Sequence, residues 1–146
     1  MPGDHVADMV NLTTLDESAM LQNLKNRFED GEVYTLTGRI VVSVNPFRWL
    51  PLYSEDLVVK YHTAEDPFST EDPHVYSIAH AALNEVALQA SRGQAMTSQS
   101  ILVSGESGAG KTEATKICMR YLAIVDTMCS VGGLSDARTL TEQVLQ

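Results

Sequence analysis

Gly105-Glu106-Ser107-Gly108-Ala109-Gly110-Lys111-Thr112 is the stretch around which this chain of 146 residues is organised, and it fits the phosphate-binding pattern G-x-x-x-x-G-K-[ST]. Glycines reach positive φ and carry no Cβ, so several backbone N–H groups in such a turn can point at one anion. Lys111 would reach the β- and γ-phosphates of a nucleotide, and the Thr112 hydroxyl would ligate Mg²⁺. A plain glycine-rich turn is the alternative, and a chance match in a chain of this length has a probability on the order of half a percent.

The residues on both sides of this octet follow the order strand, loop, helix. Residues 100–104 form a short apolar run that predicts a strand leading into the loop. Downstream, apolar side chains recur every three or four residues and predict a helix: Ala114, Ile117, Cys118, Tyr121, Leu122 and Val125. The N-terminus of that helix would direct its partial positive charge at the bound anion. The chain is therefore predicted to have an α/β fold of the P-loop NTPase type.

Two other candidate metal sites are rejected on spacing. Asp126 ends an apolar run, but it follows Thr112 by too few residues for a helix, a turn and a parallel strand, and it continues the helical period. His62, His74 and His80 contain no pair with i,i+4 spacing, and no cysteine joins them. We interpret Asp126 as part of a helix and the histidines as solvent or helix-face residues.

Composition limits the classes of function. With 44% hydrophobic and 20% charged residues the chain is typical of one globular domain, and its formal charge of −9 argues against a general binder of nucleic acid or of anionic membranes. Its two cysteines, Cys118 and Cys129, show no metal-ligand spacing, and its first residues lack the basic and apolar regions of a secretory signal. These observations predict a reducing cytosolic compartment.

The first third of the chain predicts one helix and one strand region after a loose terminus at residues 1–10. Asp16 is a good N-cap for a helix over residues 17–28, whose apolar face would consist of Leu21, Leu24 and Phe28. Residues 33–44 are rich in β-branched side chains and predict a strand that becomes buried on both faces. Gly38 interrupts it and marks either a bulge or a turn between two strands.

Residues 45–53, Asn-Pro-Phe-Arg-Trp-Leu-Pro-Leu-Tyr, predict a structured loop, because their two prolines can continue neither sheet nor helix. Seen alone, this loop is a rigid surface turn. Its aromatic and amide groups would also suit a purine, which needs a flat apolar contact and hydrogen-bonding partners.

Two helices separated by an acidic connector are predicted between this loop and the octet. Ser54 caps the first helix, which runs to about Tyr61, and residues 63–72 form the connector. The second helix opens at Asp72-Pro73, with the aspartate as N-cap and the proline at the first helical position, and it ends before Gly93.

Two acidic residues near the phosphates have open roles. Glu113 directly follows Thr112, where it serves either as a first-turn helix acid or as a partner of a nucleotide-contacting side chain. Glu106 would be unfavourable facing phosphate, so its side chain is expected to point outward or toward a basic partner outside this chain.

Together these segments resemble the N-terminal part of a myosin motor head. The octet followed by Glu113 has the form of the phosphate loop that myosins carry, whereas kinesins and most other P-loop enzymes have different residues between the glycines. Asn45-Pro46-Phe47 with Tyr53 resembles the purine-binding loop of that family, and Asp72-Pro73-His74 resembles the segment that lies between the two loops. The resemblance covers residues 8–146 with order and spacing preserved.

The resemblance implies binding roles for individual residues, with ATP and Mg²⁺ as cofactors. Asn45, Pro46 and Tyr53 would contact the adenine. Residues 105–111 would wrap the phosphates, and Thr112 would ligate Mg²⁺.

The resemblance also implies an architecture. Residues 33–44 and 100–104 would be strands of a partial mixed central sheet with flanking helices, and residues 126–138 would be a surface loop near the nucleotide entrance. Residues 1–7 would be a disordered N-terminus, and residues 8–146 would be the N-terminal part of a motor domain that ends before the switch loops.

The parent of such a fragment would be an actin-activated ATPase of the cytoplasmic cytoskeleton. Actin filaments, and light chains or calmodulin, would bind parts of the parent that are not present in this chain, and neither nucleic acid nor a transmembrane segment is expected. The switch loops of the family have no match in these 146 residues, so we expect a portion that binds ATP but has few catalytic groups. The alternatives are a different P-loop ATPase or kinase and a truncated, non-catalytic fragment.

Overall fold

The computed structural model describes residues 5–93 and 98–131, which form helices around one small sheet. A 3₁₀ turn at Met9–Asn11 comes first. The remaining elements follow in the order α1 Glu17–Glu29, β1 Tyr34–Thr37, β2 Ile40–Ser43, α2 Glu55–Thr63, α3 Pro67–Thr70, α4 Val75–Ser91 and α5 Lys111–Val131. The expected mixture of helix and sheet is confirmed at this coarse level.

The sheet is an antiparallel hairpin of β1 and β2, with Thr37 opposite Ile40. Gly38 has φ +59 and is the first residue of a two-residue loop, so the interruption in the sequence is a turn and not a bulge. The expected burial on both faces is found for β1 but not for β2, in which Ile40 is 65% exposed. Within the described part of the chain the sheet is therefore two-stranded and antiparallel, not the expected partial mixed sheet.

The strand predicted for residues 100–104 is absent, and these residues have no regular structure. Leu102 within this segment is 92% exposed. A strand requires a neighbour that accepts and donates backbone hydrogen bonds, and no described strand pairs with this segment. The prediction was wrong because apolar composition alone does not supply that neighbour.

Helices α1 and α2 begin where their caps predict. The Asp16 carboxylate accepts a hydrogen bond from Ala19 N at 2.8 Å, and the Ser54 hydroxyl accepts one from Leu57 N at 3.3 Å. The expected apolar face of α1 is wrong, since the helix buries Asn23 and leaves other side chains exposed, among them Leu21 and Phe28.

The N-terminal segment explains this difference. Asn23 Oδ1 accepts a hydrogen bond from Val6 N at 2.8 Å, and the carbonyl of Ala7 accepts one from Leu36 N at 2.9 Å. Residues 5–10 are thus hydrogen-bonded to α1 and β1, contrary to the expected loose terminus over residues 1–10, of which residues 1–4 lie outside the described part.

Helix α4 begins at Val75 and not at Pro73. His74 is its N-cap, because the His74 Nδ1 atom accepts a hydrogen bond from Tyr76 N at 3.1 Å. The predicted cap, Asp72, instead accepts a hydrogen bond from the Tyr61 hydroxyl through its backbone carbonyl. The acidic connector also contains the short helix α3, whose N-cap is Asp66.

The core lies where α2, α4 and α5 pack against one another, and Tyr34 of β1 joins it. Its buried side chains include Val58, Tyr61, Tyr76, Ala79, Tyr121 and Ile124. Asp126 lies inside α5, which confirms its interpretation as a helical residue. The loop expected over residues 126–138 is wrong for residues 126–131, which are helical, and its remainder lies outside the described residues. None of the helices in the described ranges combines the length and apolar character that a membrane crossing requires.

Candidate functional site

A cavity of about 310 Å³ lies between the loop of residues 45–53 and the start of α5. Its walls come from both parts of the chain and include Tyr34, Asn45, Pro46, Trp49, Tyr53, Ala109, Gly110 and Glu113. The three residues expected to contact adenine therefore share one cavity with Ala109 and Gly110 of the glycine-rich octet. A volume of this size is at the small end of the range for ligand pockets.

The octet forms a turn that runs directly into α5 at Lys111. Gly105, Gly108 and Gly110 have φ values of +155, +82 and +93. At Gly105 a Cβ atom would lie 3.1 Å from the Cβ of Ala109, which is closer than nearly all real contacts of this kind. Both the backbone conformation and the tight spacing therefore favour glycine at this position.

The Lys111 side chain folds back over this turn. Its Nζ atom donates hydrogen bonds to the carbonyl of Gly105 at 2.8 Å and to that of Glu106 at 2.7 Å. The ammonium group thus lies within the loop, next to a helix N-terminus whose first backbone N–H groups lack partners in the helix. The ammonium group and the N–H groups both favour an anion at this place.

The two loops are joined directly by the Asn45 side chain. Asn45 Nδ2 donates a hydrogen bond to the carbonyl of Gly108 at 2.8 Å, across 63 positions of sequence. Asn45 Oδ1 accepts a hydrogen bond from Phe47 N at 2.9 Å, which closes a turn in which Phe47 has φ +49. Phe47 is 84% exposed at the tip of the loop. Its backbone is in a region that non-glycine residues adopt rarely.

Aromatic groups form the opposite wall of the cavity. The hydroxyl groups of Tyr34 and Tyr53 are hydrogen-bonded at 2.9 Å, and the ring centroids of Trp49 and Tyr53 are 5.0 Å apart. Burial raises the pKa of Tyr34, and its hydrogen bond with Tyr53 raises that pKa further. Tyr34 is therefore a neutral donor and acceptor at physiological pH.

Apart from Glu113, the remaining predicted site residues lie beside this cavity and not in its wall. Lys111 lines a neighbouring cavity of about 150 Å³, and Thr112 is exposed on the first turn of α5. Glu113 does line the larger cavity, and its carboxylate lies 3.8 Å from the ammonium of Lys116. Glu106 is exposed, which agrees with a side chain that points outward.

Two features of the site were not found from the sequence. Tyr34 lies within the predicted strand region of residues 33–44, and no spacing rule relates it to Tyr53. The hydrogen bond between Asn45 and Gly108 could not be predicted from the sequence either. An asparagine before a proline in a structured loop indicates only that its side chain forms a hydrogen bond with some backbone group. In residues 5–93 and 98–131, no group of three or more His, Cys, Asp or Glu side chains is placed to hold a metal ion.

Comparison with known proteins identifies relatives for nearly the whole chain. Residues 6–146 match the family model for the myosin head (motor domain). Myosin-8 of Arabidopsis thaliana is 44% identical over 146 residues, and Protein OPAQUE1 of Zea mays is 45% identical over 145 residues. Each alignment covers 99% of this chain and 9% of the relative. The chain therefore spans about a tenth of the length of these relatives.

Proposed function

Because this chain belongs to the myosin head (motor domain) family, we propose that it is the ATP-binding portion of an actin-based cytoskeletal motor. Residues 8–146 form the N-terminal part of the motor domain in this proposal. The observation that supports it is the hydrogen bond between Asn45 and Gly108, which joins the loop of residues 45–53 to the glycine-rich octet.

The proposed fold is that of a P-loop NTPase in which the octet holds the nucleotide phosphates. Residues 105–112 present backbone N–H groups and the Lys111 ammonium to the anion, while α5 adds the charge of its N-terminus. The crowding at Gly105, where a Cβ would lie 3.1 Å from the Cβ of Ala109, supports this tight turn. Lys111 exchanges its two carbonyl partners for phosphate oxygens when the nucleotide binds.

The adenine occupies the aromatic cavity in this proposal. Pro46 and Tyr53 supply apolar surface and a hydroxyl group, and Trp49 lies 5.0 Å from the Tyr53 ring at the same wall. The apolar contacts and the few convergent polar groups are the features that select a flat heteroaromatic ring.

The residues present fit Mg²⁺ as a partner of the phosphates and not as an ion held by protein alone. Thr112 supplies one exposed hydroxyl at the start of α5, and Mg²⁺ accepts such a single oxygen ligand when phosphates and water provide the others. When bound, the ion would neutralise charge on the phosphates and fix their orientation.

Actin filaments, and light chains or calmodulin, would bind other parts of the parent motor, which would belong to the cytoplasmic cytoskeleton. This part of the proposal rests on family membership. The described residues contribute nucleotide-binding groups to such a motor.

Nucleotide binding to the 146-residue chain tests the proposal. We expect Trp49, the only tryptophan of the chain, to report binding through its emission, and a fluorescent ATP analogue to give an independent isotherm. Lys111→Ala should weaken binding at least about tenfold, because it removes a charge-assisted hydrogen bond. Lys25→Ala, which removes the same charge from an exposed position on α1, is the control. Equal affinity of the wild type and Lys111→Ala would overturn the phosphate-loop assignment.

A further inference from the structure

The hydrogen bond of 2.9 Å between the hydroxyl groups of Tyr34 and Tyr53 joins two residues that are anchored differently. Tyr34 is the first residue of β1, the buried strand of the hairpin, and it is 5% exposed. Tyr53 belongs to the loop of residues 45–53, which contains no helix or strand, and it is only half-buried. The hydrogen bond therefore ties a loop side chain of the proposed nucleotide site to the sheet.

The surroundings of the two oxygens indicate which hydroxyl group donates. Among the described residues, the Tyr34 hydroxyl has Tyr53 as its only hydrogen-bond partner. If Tyr53 were the donor, the Tyr34 proton would lie in a largely buried position without an acceptor, which costs free energy. The proton of the half-buried Tyr53 can instead point into the cavity that this residue lines. The arrangement with Tyr34 as donor and Tyr53 as acceptor is therefore favoured.

We propose that Tyr34 is a positioning residue of the nucleotide site, which holds the Tyr53 hydroxyl in place for the base. This inference rests on the proposed function, because it concerns the cavity assigned to the adenine. While it accepts a hydrogen bond from Tyr34, the Tyr53 hydroxyl keeps its own proton and one lone pair for the edge of the base. Donation from Tyr34 also polarises the Tyr53 O–H group and makes it a stronger donor. Tyr34 thus acts through Tyr53 and not by its own contact with the base.

The rings of both tyrosines have other contacts, so the Tyr34 hydroxyl can be removed without removing the packing of its ring. The Tyr34 ring meets the His74 ring edge-on, with the ring centroids 4.9 Å apart, and the Tyr53 ring centroid lies 5.0 Å from that of Trp49. Tyr34→Phe keeps these ring contacts but leaves the Tyr53 hydroxyl without its partner. Tyr53 would then have to be ordered when the base binds, and ordering one side chain reduces affinity about fivefold.

The affinities of the 146-residue chain for ATP and for inorganic triphosphate, measured by isothermal titration calorimetry, test this role. In Tyr34→Phe the affinity for ATP should fall about fivefold, whereas the affinity for inorganic triphosphate, which has no base, should change less than about twofold. A merely structural role would lower both affinities together, so an unchanged ratio of the two would overturn the inference. If the wild type bound neither ligand, the proposed function would fail as well, which distinguishes the two failures.

A double-mutant cycle and a matched control complete the test. If Tyr34 acts through Tyr53, adding Tyr34→Phe to a chain that already carries Tyr53→Phe should lower the affinity for ATP no further, and additive losses would contradict the inference. Tyr76→Phe is the control, because it also removes a hydroxyl group from a buried tyrosine. Tyr76 does not line the cavity, and among the described residues its hydroxyl has no hydrogen-bond partner. Its variant should bind ATP like the wild type, and an equal loss there would overturn a specific role for Tyr34.

Discussion

The carboxamide of Asn45 is engaged on both sides within the protein. Its nitrogen donates to the carbonyl of Gly108 and its oxygen accepts from the amide of Phe47. These two bonds use one of the two amide N–H donors and one of the two carbonyl lone pairs. We infer that Asn45 acts through them by positioning the phosphate loop, while most of the contact with the base falls to Pro46 and Tyr53.

Asn45→Ala is expected to weaken ATP binding about tenfold, the value of one lost hydrogen bond of about 1.4 kcal/mol. The loss should be nearly as large for inorganic triphosphate as for ATP, because the phosphate loop and not the base contact is altered. Isothermal titration calorimetry with both ligands measures this. Asn84→Ala, on the exposed face of α4, is the matched control. A loss confined to ATP would show that Asn45 contacts the adenine instead.

His74 is a buried cap whose protonation would disrupt its own hydrogen bonds. Nδ1 accepts from Tyr76 N, so the ring proton is on Nε2, which donates to the carbonyl of Leu52 at 3.0 Å. Burial lowers the pKa of His74 from 6.5 to about 4, and the bond to Leu52 opposes this shift. A proton on Nδ1 would remove the acceptor that caps α4.

The stability of the protein should therefore depend on pH through His74. Since the folded pKa is depressed, the neutral ring's contribution is complete above pH 6.5 and is lost as the pH falls from 6.5 to about 4. The loss amounts to about 3 kcal/mol in the free energy of unfolding. Urea unfolding across this range measures it. His74→Asn keeps a capping side chain without a titrating group, and its pH profile should be flatter. If the free energy of unfolding depended on pH identically in the wild type and in His74→Asn, this role of His74 would be contradicted.

At the scale of elements, local signals predicted the starts of α1 and α2 but neither the start of α4 nor which faces are buried. Asp16 and Ser54 cap their helices as expected, because capping depends on atoms two or three residues away. The periodicity of apolar residues predicted the wrong buried face for α1, whose buried side chains are polar. Hydrogen bonds with the N-terminal segment and with β1 hold those side chains in place. The strand prediction for residues 100–104 was wrong for a related reason, because strand pairing depends on a partner strand from another part of the chain.

Arg27 illustrates how α1 is held by polar contacts. Its guanidinium donates to Thr35 Oγ1 and to the carbonyl of Tyr34, both at 2.9 Å, and pairs with the Glu32 carboxylate at 2.7 Å. The residue is buried. The contacts with Thr35 and Tyr34 join α1 to β1, the buried strand of the hairpin.

Arg27→Ala should lower the free energy of unfolding by about 3 kcal/mol, because it leaves a buried hydroxyl and a buried carbonyl without their donor. Lys25→Ala is the control on the same helix, since its ion pair with Glu29 spans 3.9 Å at the surface and should contribute less than about 0.5 kcal/mol. Chemical denaturation of both variants provides the measurement. Similar losses in the two variants would show that the Arg27 contacts contribute no more than surface charges.

At the scale of the molecule, the proposed site is assembled from segments far apart in sequence. The octet and the loop of residues 45–53 could each be recognised from local patterns. Their contact could not, because the hydrogen bond from Asn45 to Gly108 depends on how the hairpin packs near the start of α5. The resemblance to a family predicted the shared site, and the geometry shows which side chain joins its two parts.

The isolated 146-residue chain should bind ATP without turning it over faster in the presence of actin filaments. Phosphoryl transfer to water requires an oriented water molecule and positive charge around the γ-phosphate, and such groups are often worth about three to five orders of magnitude in rate. In the proposed site, Lys111, Thr112 and backbone donors would hold the phosphates, and none of them would orient a water molecule. Steady-state phosphate release with and without actin measures this, and a matched titration of ATP binding establishes that the chain is folded. Actin-stimulated release would show that these residues suffice for catalysis, whereas binding without stimulation assigns them to the nucleotide-holding part of the motor.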